Sequence, residues 1–204
     1  MGHGDITLVM IISLEGNIGA GKTTFLAALA ERFPDYTIVV EPIEEWTTKY
    51  GESSILELFY ADKARWAFTF QVYAIQTLAA AVKKVSSPKK IIITERSAQT
   101  SRHVFAQMLK DSGFITELEW SLYLRIFEEW AMPLSGIIYL NTDPQTSADR
   151  ILKRGRPGET VSQEYLMDLD VRHRAWLGST DLPVLRISDV SDIEAVKGFI
   201  ESLT

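Results

Sequence analysis

Gly16-Asn17-Ile18-Gly19-Ala20-Gly21-Lys22-Thr23 follows an apolar run, Thr7–Leu14, and opens onto a stretch of helical period, Lys22–Arg32. The octet satisfies G-x-x-x-x-G-K-[ST] in full. Gly16, Gly19 and Gly21 permit backbone angles that bare successive N–H groups toward an anion. Lys22 brings charge to the outer phosphates, and the Thr23 hydroxyl, with Thr24 beside it, can reach a bound Mg2+. The helix that follows adds the positive end of its dipole. This is a phosphate-binding loop between a strand and a helix. By itself it does not separate kinases from GTPases or motor ATPases.

Outward from the loop, apolar runs of strand length alternate with longer stretches of helical period. The strands are expected at Thr7–Leu14, Tyr36–Val40, Lys90–Thr94, Gly136–Leu140 and Val184–Ile187, all rich in Ile, Val and Leu as strands buried on both faces are. The helices are expected at Lys22–Arg32, Ser54–Val85 (long enough for two), Ser101–Lys110, Glu117–Glu129, Pro144–Lys153, Ser162–Leu177 and Ile193–Leu203. Strand then helix, repeated, predicts an α/β fold with a parallel sheet covered by helices on both faces. Ligands then sit beyond the carboxyl ends of the strands. No repeat or linker marks a second domain, so the 204 residues are expected to form one unit, with a mobile loop at Lys153–Val161.

Composition narrows the partners. A net charge of −6 argues against a surface built to grip nucleic acid or anionic membrane. There is no cysteine for a disulfide or a thiolate zinc site, and three scattered histidines lack metal-ligand spacing. The first residues lack the basic region of a signal peptide, and the apolar run before the loop is too short to span a bilayer. Met1-Gly2 opens like a myristoylation signal, but Ile6 stands where Ser or Thr is needed. A cytosolic enzyme is expected.

Three further clusters carry chemistry. Glu41-Pro42 ends the second strand, with Trp46 five residues after the glutamate; a carboxylate there faces the ligand crevice and can accept a proton from a hydroxyl nucleophile. Its contribution is orientation, with proton acceptance late in a loose transition state. Thr94-Glu95-Arg96-Ser97 ends the third strand, where Glu95 can reach Mg2+ and Arg96 can neutralise phosphate. Arg150, Arg154 and Arg156, followed by Glu159, surround Gly155–Gly158; so many arginines in an acidic chain predict a lid that clamps phosphate and excludes water.

In order and spacing these motifs, with Tyr165-Leu166, resemble those of the deoxynucleoside kinase family from about Ile11 to Trp176. That family groups deoxycytidine and deoxyguanosine kinases, mitochondrial thymidine kinase, a broad-specificity insect enzyme and relatives in large DNA viruses. The short chain looks most like a compact viral member. The resemblance implies a P-loop kinase with a five-stranded parallel sheet, ATP and Mg2+ as donor and metal, and a homodimer formed through two long helices. It implies Glu41 as general base, Glu95 as the magnesium-associated acid and Arg96 between base and phosphates. Tyr60, beside Phe59, and Glu159 match the pair that binds the 3′-hydroxyl. Arg150, Arg154 and Arg156 match the lid arginines, and Asp189-Val190 resembles the adenine-contacting loop. His103 stands where the family often has tyrosine, and Pro157-Gly158 precede Glu159 where an acidic residue is usual.

The base pocket is expected on the helix carrying Phe70, Gln71, Ala74 and Leu78. Gln71 is a lone amide among apolar neighbours, and its side-by-side C=O and NH2 match the edge of thymine one way and of cytosine with the amide flipped. The resemblance implies that Gln71 pairs with the base, Phe105 stacks on it and Trp46 walls the same slot. Family members favouring purines or deoxycytidine carry an Arg–Asp pair at the positions of Leu78 and Ser101. Without that pair the slot has an apolar surface for the thymine methyl, so thymidine is expected first and deoxycytidine second. Two rivals fit less well. A thymidylate kinase would carry glycines after Glu41-Pro42 and an Asp-Arg signature in place of Glu95-Arg96-Ser97. A GTPase switch would need Asn-Lys-x-Asp, and Asn141-Thr142-Asp143-Pro144 supplies no lysine.

Overall fold

The computed structural model describes residues 9–85, 91–156 and 159–203. Its centre is a five-stranded parallel sheet. β1 (Met10–Glu15) pairs with β5 (Ile91–Glu95) on one side and β6 (Gly136–Leu140) on the other, while β2 (Thr37–Val39) and β7 (Val184–Ile187) form the edges. Period-two alternation decides what each strand buries. Ile12, Leu14, Ile138 and Leu140 face Phe25, Leu26 and Leu29 of α1 (Lys22–Arg32) and Val196 and Ile200 of α10 (Ile193–Ser202). On the opposite face Ile137 and Tyr139 meet Leu169, Trp176 and Leu177 of α9 (Gln163–Ser179), and Ile11 and Ile92 meet Ala81 and Val82 at the end of α4 (Lys63–Lys83). Each fully buried Ile or Leu adds about 1.5–3 kcal/mol of transfer free energy.

All five expected strands are found, the last two with the expected bounds; β1 extends to Glu15 and β5 to Glu95, bringing both carboxylates into the sheet. Thr7 and Leu8, Lys90 and Pro157-Gly158 lie outside the described residues, as does the myristoylation-like start. The stretch expected as Ser54–Val85 divides into α3 (Ile55–Ala61) and α4. Asp62 makes the break: it leaves helical geometry and its side chain accepts from the Arg65 amide, capping the second helix. Ser54 and Glu57 form a reciprocal capping box at the start of α3.

Two local features were not expected. A short helix, α2 (Ile43–Thr47), follows Pro42, and β3 (Lys49–Tyr50) pairs antiparallel with β4 (Ser53–Ser54). The helix expected as Ser101–Lys110 begins earlier, at α5 (Ala98–Thr100), passes through a π-helical segment, Ser101–Ala106, and ends in α6 (Gln107–Asp111). The widened turns carry both Ser101 and Phe105 onto the cleft. α7 (Glu117–Trp130), started by a Thr116–Glu119 capping box, packs against α4, and α8 (Pro144–Arg154) follows β6.

Candidate active site

The carboxyl ends of β1, β2, β5, β6 and β7 open into one cleft of about 540 Å³, inside the range for small-molecule sites. The phosphate loop forms its floor. Gly16, Gly19 and Gly21 all take positive φ. At Gly19, φ is 76° and a Cβ would come 2.5 Å from the Ser147 carbonyl oxygen, so only glycine lets the loop pass that close to α8. Gly21 caps α1, whose first turn holds no acidic residue, leaving the helix dipole free for an anion. Lys22 Nζ folds onto the Asn17 carbonyl at 3.0 Å. Asn17 Oδ1 accepts from the Ile18 amide while its Nδ2 donates to the Leu166 carbonyl, pinning the loop to α9. Burial, and next the Arg96 charge, lowers the Lys22 ammonium pKa to about 8.

Beside the loop stand the acids and the arginine. Thr23 Oγ1 donates to Glu95, 2.9 Å from one carboxylate oxygen and 3.2 Å from the other. One hydroxyl and one carboxylate at a single point, next to a phosphate cradle, suit Mg2+, which is held by few protein ligands plus phosphate and water. Consistent with so sparse a donor set, no group of three or more His, Cys, Asp or Glu among the described residues could hold a metal ion by itself. Arg96 is buried, with its Nε 2.9 Å from Glu41 Oε1 and its Nη1 donating to the Gly16 carbonyl at 2.9 Å. It is the one non-glycine residue with positive φ (65°) among the described residues, a strained conformation at the site's centre.

Arg150, Arg154 and Arg156 converge on the same cleft. Arg150 Nη1 donates to the Ala20 carbonyl at 2.6 Å, while Arg154 and Arg156 both pair with Glu159, at 2.5 and 3.3 Å. The Glu159 side chain is almost fully buried. Burial, then the charges of Glu159 and Glu41, pushes the Tyr60 phenol far up, so it stays a donor. Asp189 caps its own turn through Ser191, and with Ser188 and Val190 it lines the far end of the cleft.

The opposite end is an apolar slot. Trp46 packs edge-on against Phe70 (5.4 Å, 84°), Phe59 stacks on Phe70 (4.8 Å), and Trp46 Nε1 donates to Thr77. Phe70, Gln71, Ala74 and Leu78 recur along one face of α4, and Phe105 lies under the Arg96 guanidinium at 4.8 Å. Gln71 is buried, and its Oε1 accepts from Ser101 Oγ at 2.9 Å.

Of the binding and catalytic residues expected from sequence, all line this cleft except Gly16 and Asn17, which buttress it from within the loop. His103 does not line it; its ring lies parallel to Trp176, 5.6 Å away. Several residues were missed. Ile43 and Leu56 line the cleft. Glu15, fully buried, accepts from Ser13 and from Ser97 Oγ (2.7 Å), and burial raises its carboxyl pKa. A serine and a glutamate inside an otherwise apolar strand were the available signal.

The deoxynucleoside kinase family matches this chain over residues 12–202. The chain is 36% identical over 193 residues to a Fowlpox virus protein named as a probable deoxycytidine kinase, covering 89% of this chain and 79% of that one. It is 33% identical over 199 residues to human deoxycytidine kinase (84% and 76%). It is 30% identical over 220 residues to the mitochondrial deoxyguanosine kinase of Xenopus laevis (90% and 82%). No helix among the described residues is long and apolar enough to cross a membrane.

Proposed function

The chain belongs to the deoxynucleoside kinase family, phosphotransferases that use ATP as donor, and we propose that its preferred acceptor is thymidine, with deoxycytidine second. The observation that carries the acceptor class is the slot itself. An apolar space lined by Trp46, Phe70 and Phe105 holds one carboxamide, Gln71, in the same cleft that Glu41 and Arg96 line. A pyrimidine in the slot brings the sugar toward Tyr60 and Glu159 and the 5′-hydroxyl toward Glu41.

In this reading the loop amides and Lys22 hold the β- and γ-phosphates, and the lid arginines close over them. The 5′-oxygen bonds to the γ-phosphorus as the bond to the ADP oxygen breaks, and Glu41 takes the hydroxyl proton. Arg96 orients Glu41 and bears on the transferring group. Thr23 and Glu95 would hold Mg2+, which supplies charge neutralisation of the phosphates. Exposed Leu118 and Leu122, one turn apart on α7, support a homodimer, to be read by sedimentation.

Leu78 and Ser101 in place of a charged pair support thymidine, whereas the names of the relatives favour deoxycytidine. Phosphorylation of the four natural deoxynucleosides with ATP and Mg2+ separates these readings. A kcat/KM for deoxyguanosine above that for thymidine overturns the proposal, and one for deoxycytidine above thymidine reverses its order.

A further inference from the structure

Arg96 is held in its left-handed turn by three successive residues of one stretch of chain. The Leu14 carbonyl accepts from the Arg96 amide at 3.0 Å, and the Gly16 carbonyl accepts from the Arg96 guanidinium at 2.9 Å. Between them, Glu15 Oε1 accepts from Ser97 Oγ at 2.7 Å. Glu15 is fully buried and lies outside the lining of the cleft. Ser13 also donates to its Oε1, while Oε2 has no partner among the described residues. Burying a carboxyl costs free energy that an aliphatic side chain at the same point would not. What sets this position apart is the group it holds. Ser97 directly follows Arg96 and opens α5, its Oγ accepting from the Thr100 amide at 3.3 Å.

A φ of 65° is disfavoured for any residue with a Cβ, and it persists only where the surrounding structure fixes it. The Arg96 amide is tied to Leu14 and the next side chain is tied to Glu15, both on β1. Relaxing the turn toward right-handed angles moves Ser97 relative to β1 and breaks one of these ties. We infer that Glu15 is a positioning residue: by holding Ser97 it locks the turn at Arg96, and so aims the guanidinium at Glu41 and the transferring phosphoryl group. It acts as a hydrogen-bond acceptor, and its charge is not what the turn needs. This rests on the reading that Arg96 bears on the transferring group.

The test compares Glu15→Leu, which has no acceptor, with Glu15→Gln, whose amide oxygen can still hold Ser97. Both are assayed as intact protein at a temperature where circular dichroism shows them folded. In Glu15→Leu kcat is expected to fall about 10- to 100-fold, with KM for ATP and for thymidine within about threefold of the native values. Glu15→Gln is expected to recover most of that loss. Ser13→Ala removes the other donor to Glu15 and leaves the Ser97 tie, so kcat should stay within about twofold even if the variant melts earlier. An unchanged kcat in folded Glu15→Leu overturns the inference. An equal loss in Glu15→Gln also overturns it, by assigning the effect to the carboxylate charge. Arg96→Lys run in parallel separates the failures. If it keeps full kcat, the role of Arg96 is wrong and this inference falls with it; if it loses kcat while Glu15→Leu does not, only the positioning is wrong. The two changes combined should cost little more than Arg96→Lys alone, and fully additive losses overturn the inference.

Discussion

Arg96 and Glu41 face each other across the mouth of the slot, guanidinium Nε to carboxylate Oε1 at 2.9 Å, with Arg96 also tied to the Gly16 carbonyl. The pair joins the end of β2, the turn after β5 and the start of the phosphate loop. Removing one charge of such a buried pair strands the other, at a cost of about 3–5 kcal/mol. Glu41→Gln keeps the hydrogen bond, because the amide oxygen still accepts from Arg96, but it removes the counter-charge and the capacity to take a proton. Its kcat is expected to fall by about 10²- to 10⁴-fold with nucleoside KM little changed, and its melting temperature is expected to drop because the buried Arg96 loses its counter-charge. Undiminished turnover in this variant assigns the base elsewhere.

Gly19 tests the phosphate floor by sterics alone. With φ at 76° and the Ser147 carbonyl 2.5 Å from where a Cβ would sit, Gly19→Ala cannot be accommodated without moving the loop or α8. Because α8 carries Arg150, displacement spoils both the amide cradle and an arginine contact. KM for ATP is expected to rise about tenfold or more, with nucleoside binding, read by calorimetry, much less affected. A normal ATP KM would show that the loop tolerates a side chain there.

Much of this site was legible because its residues sit at fixed places on regular elements. The octet from Gly16 to Thr23 states its own chemistry, and Phe70, Gln71, Ala74 and Leu78 announce a face by helical spacing. Glu41 and Glu95-Arg96 end apolar strands, where ligands are expected in parallel sheets. What sequence did not reveal depends on partners remote in the chain. Nothing local to Glu15 says that Ser97 will donate to it, and nothing local to Tyr123 says that its hydroxyl meets Ser101. The break at Asp62 was foreseeable as a cap. The π-helical turns at Ser101–Ala106 were not, since no residue there forbids an ordinary helix.

Lys22 gives the site a pH dependence. Burial, with the Arg96 charge second, sets its pKa at about 8, below the ordinary lysine value, so the free enzyme loses the ammonium as pH rises through that value. Phosphate binding needs the ammonium and favours it. kcat/KM for ATP is therefore expected to fall above about pH 8, while kcat at saturating ATP stays flatter. Lys22→Arg, whose guanidinium does not deprotonate, should be less active and lack this basic limb. A limb unchanged in that variant belongs to another group.

His173 governs acid stability from behind the site. It is fully buried, its Nδ1 lies 2.7 Å from the Leu169 carbonyl, and its Nε2 has no partner among the described residues, so the ring is held neutral. Burial, then the Arg96 charge, lowers its pKa to about 3 from an ordinary value of 6.5. The folded state thus binds fewer protons than the unfolded chain between those two values. Its contribution is fully present above pH 6.5 and is lost progressively as pH falls toward 3. One proton taken up on unfolding corresponds to about 1.4 kcal/mol per pH unit. His173→Phe keeps a ring between Phe105 and Tyr139 and removes the titration. Urea unfolding followed from about pH 6 to pH 4 should show the native chain losing stability faster than the variant by about that slope. Parallel curves would mean that His173 takes up its proton in the folded state.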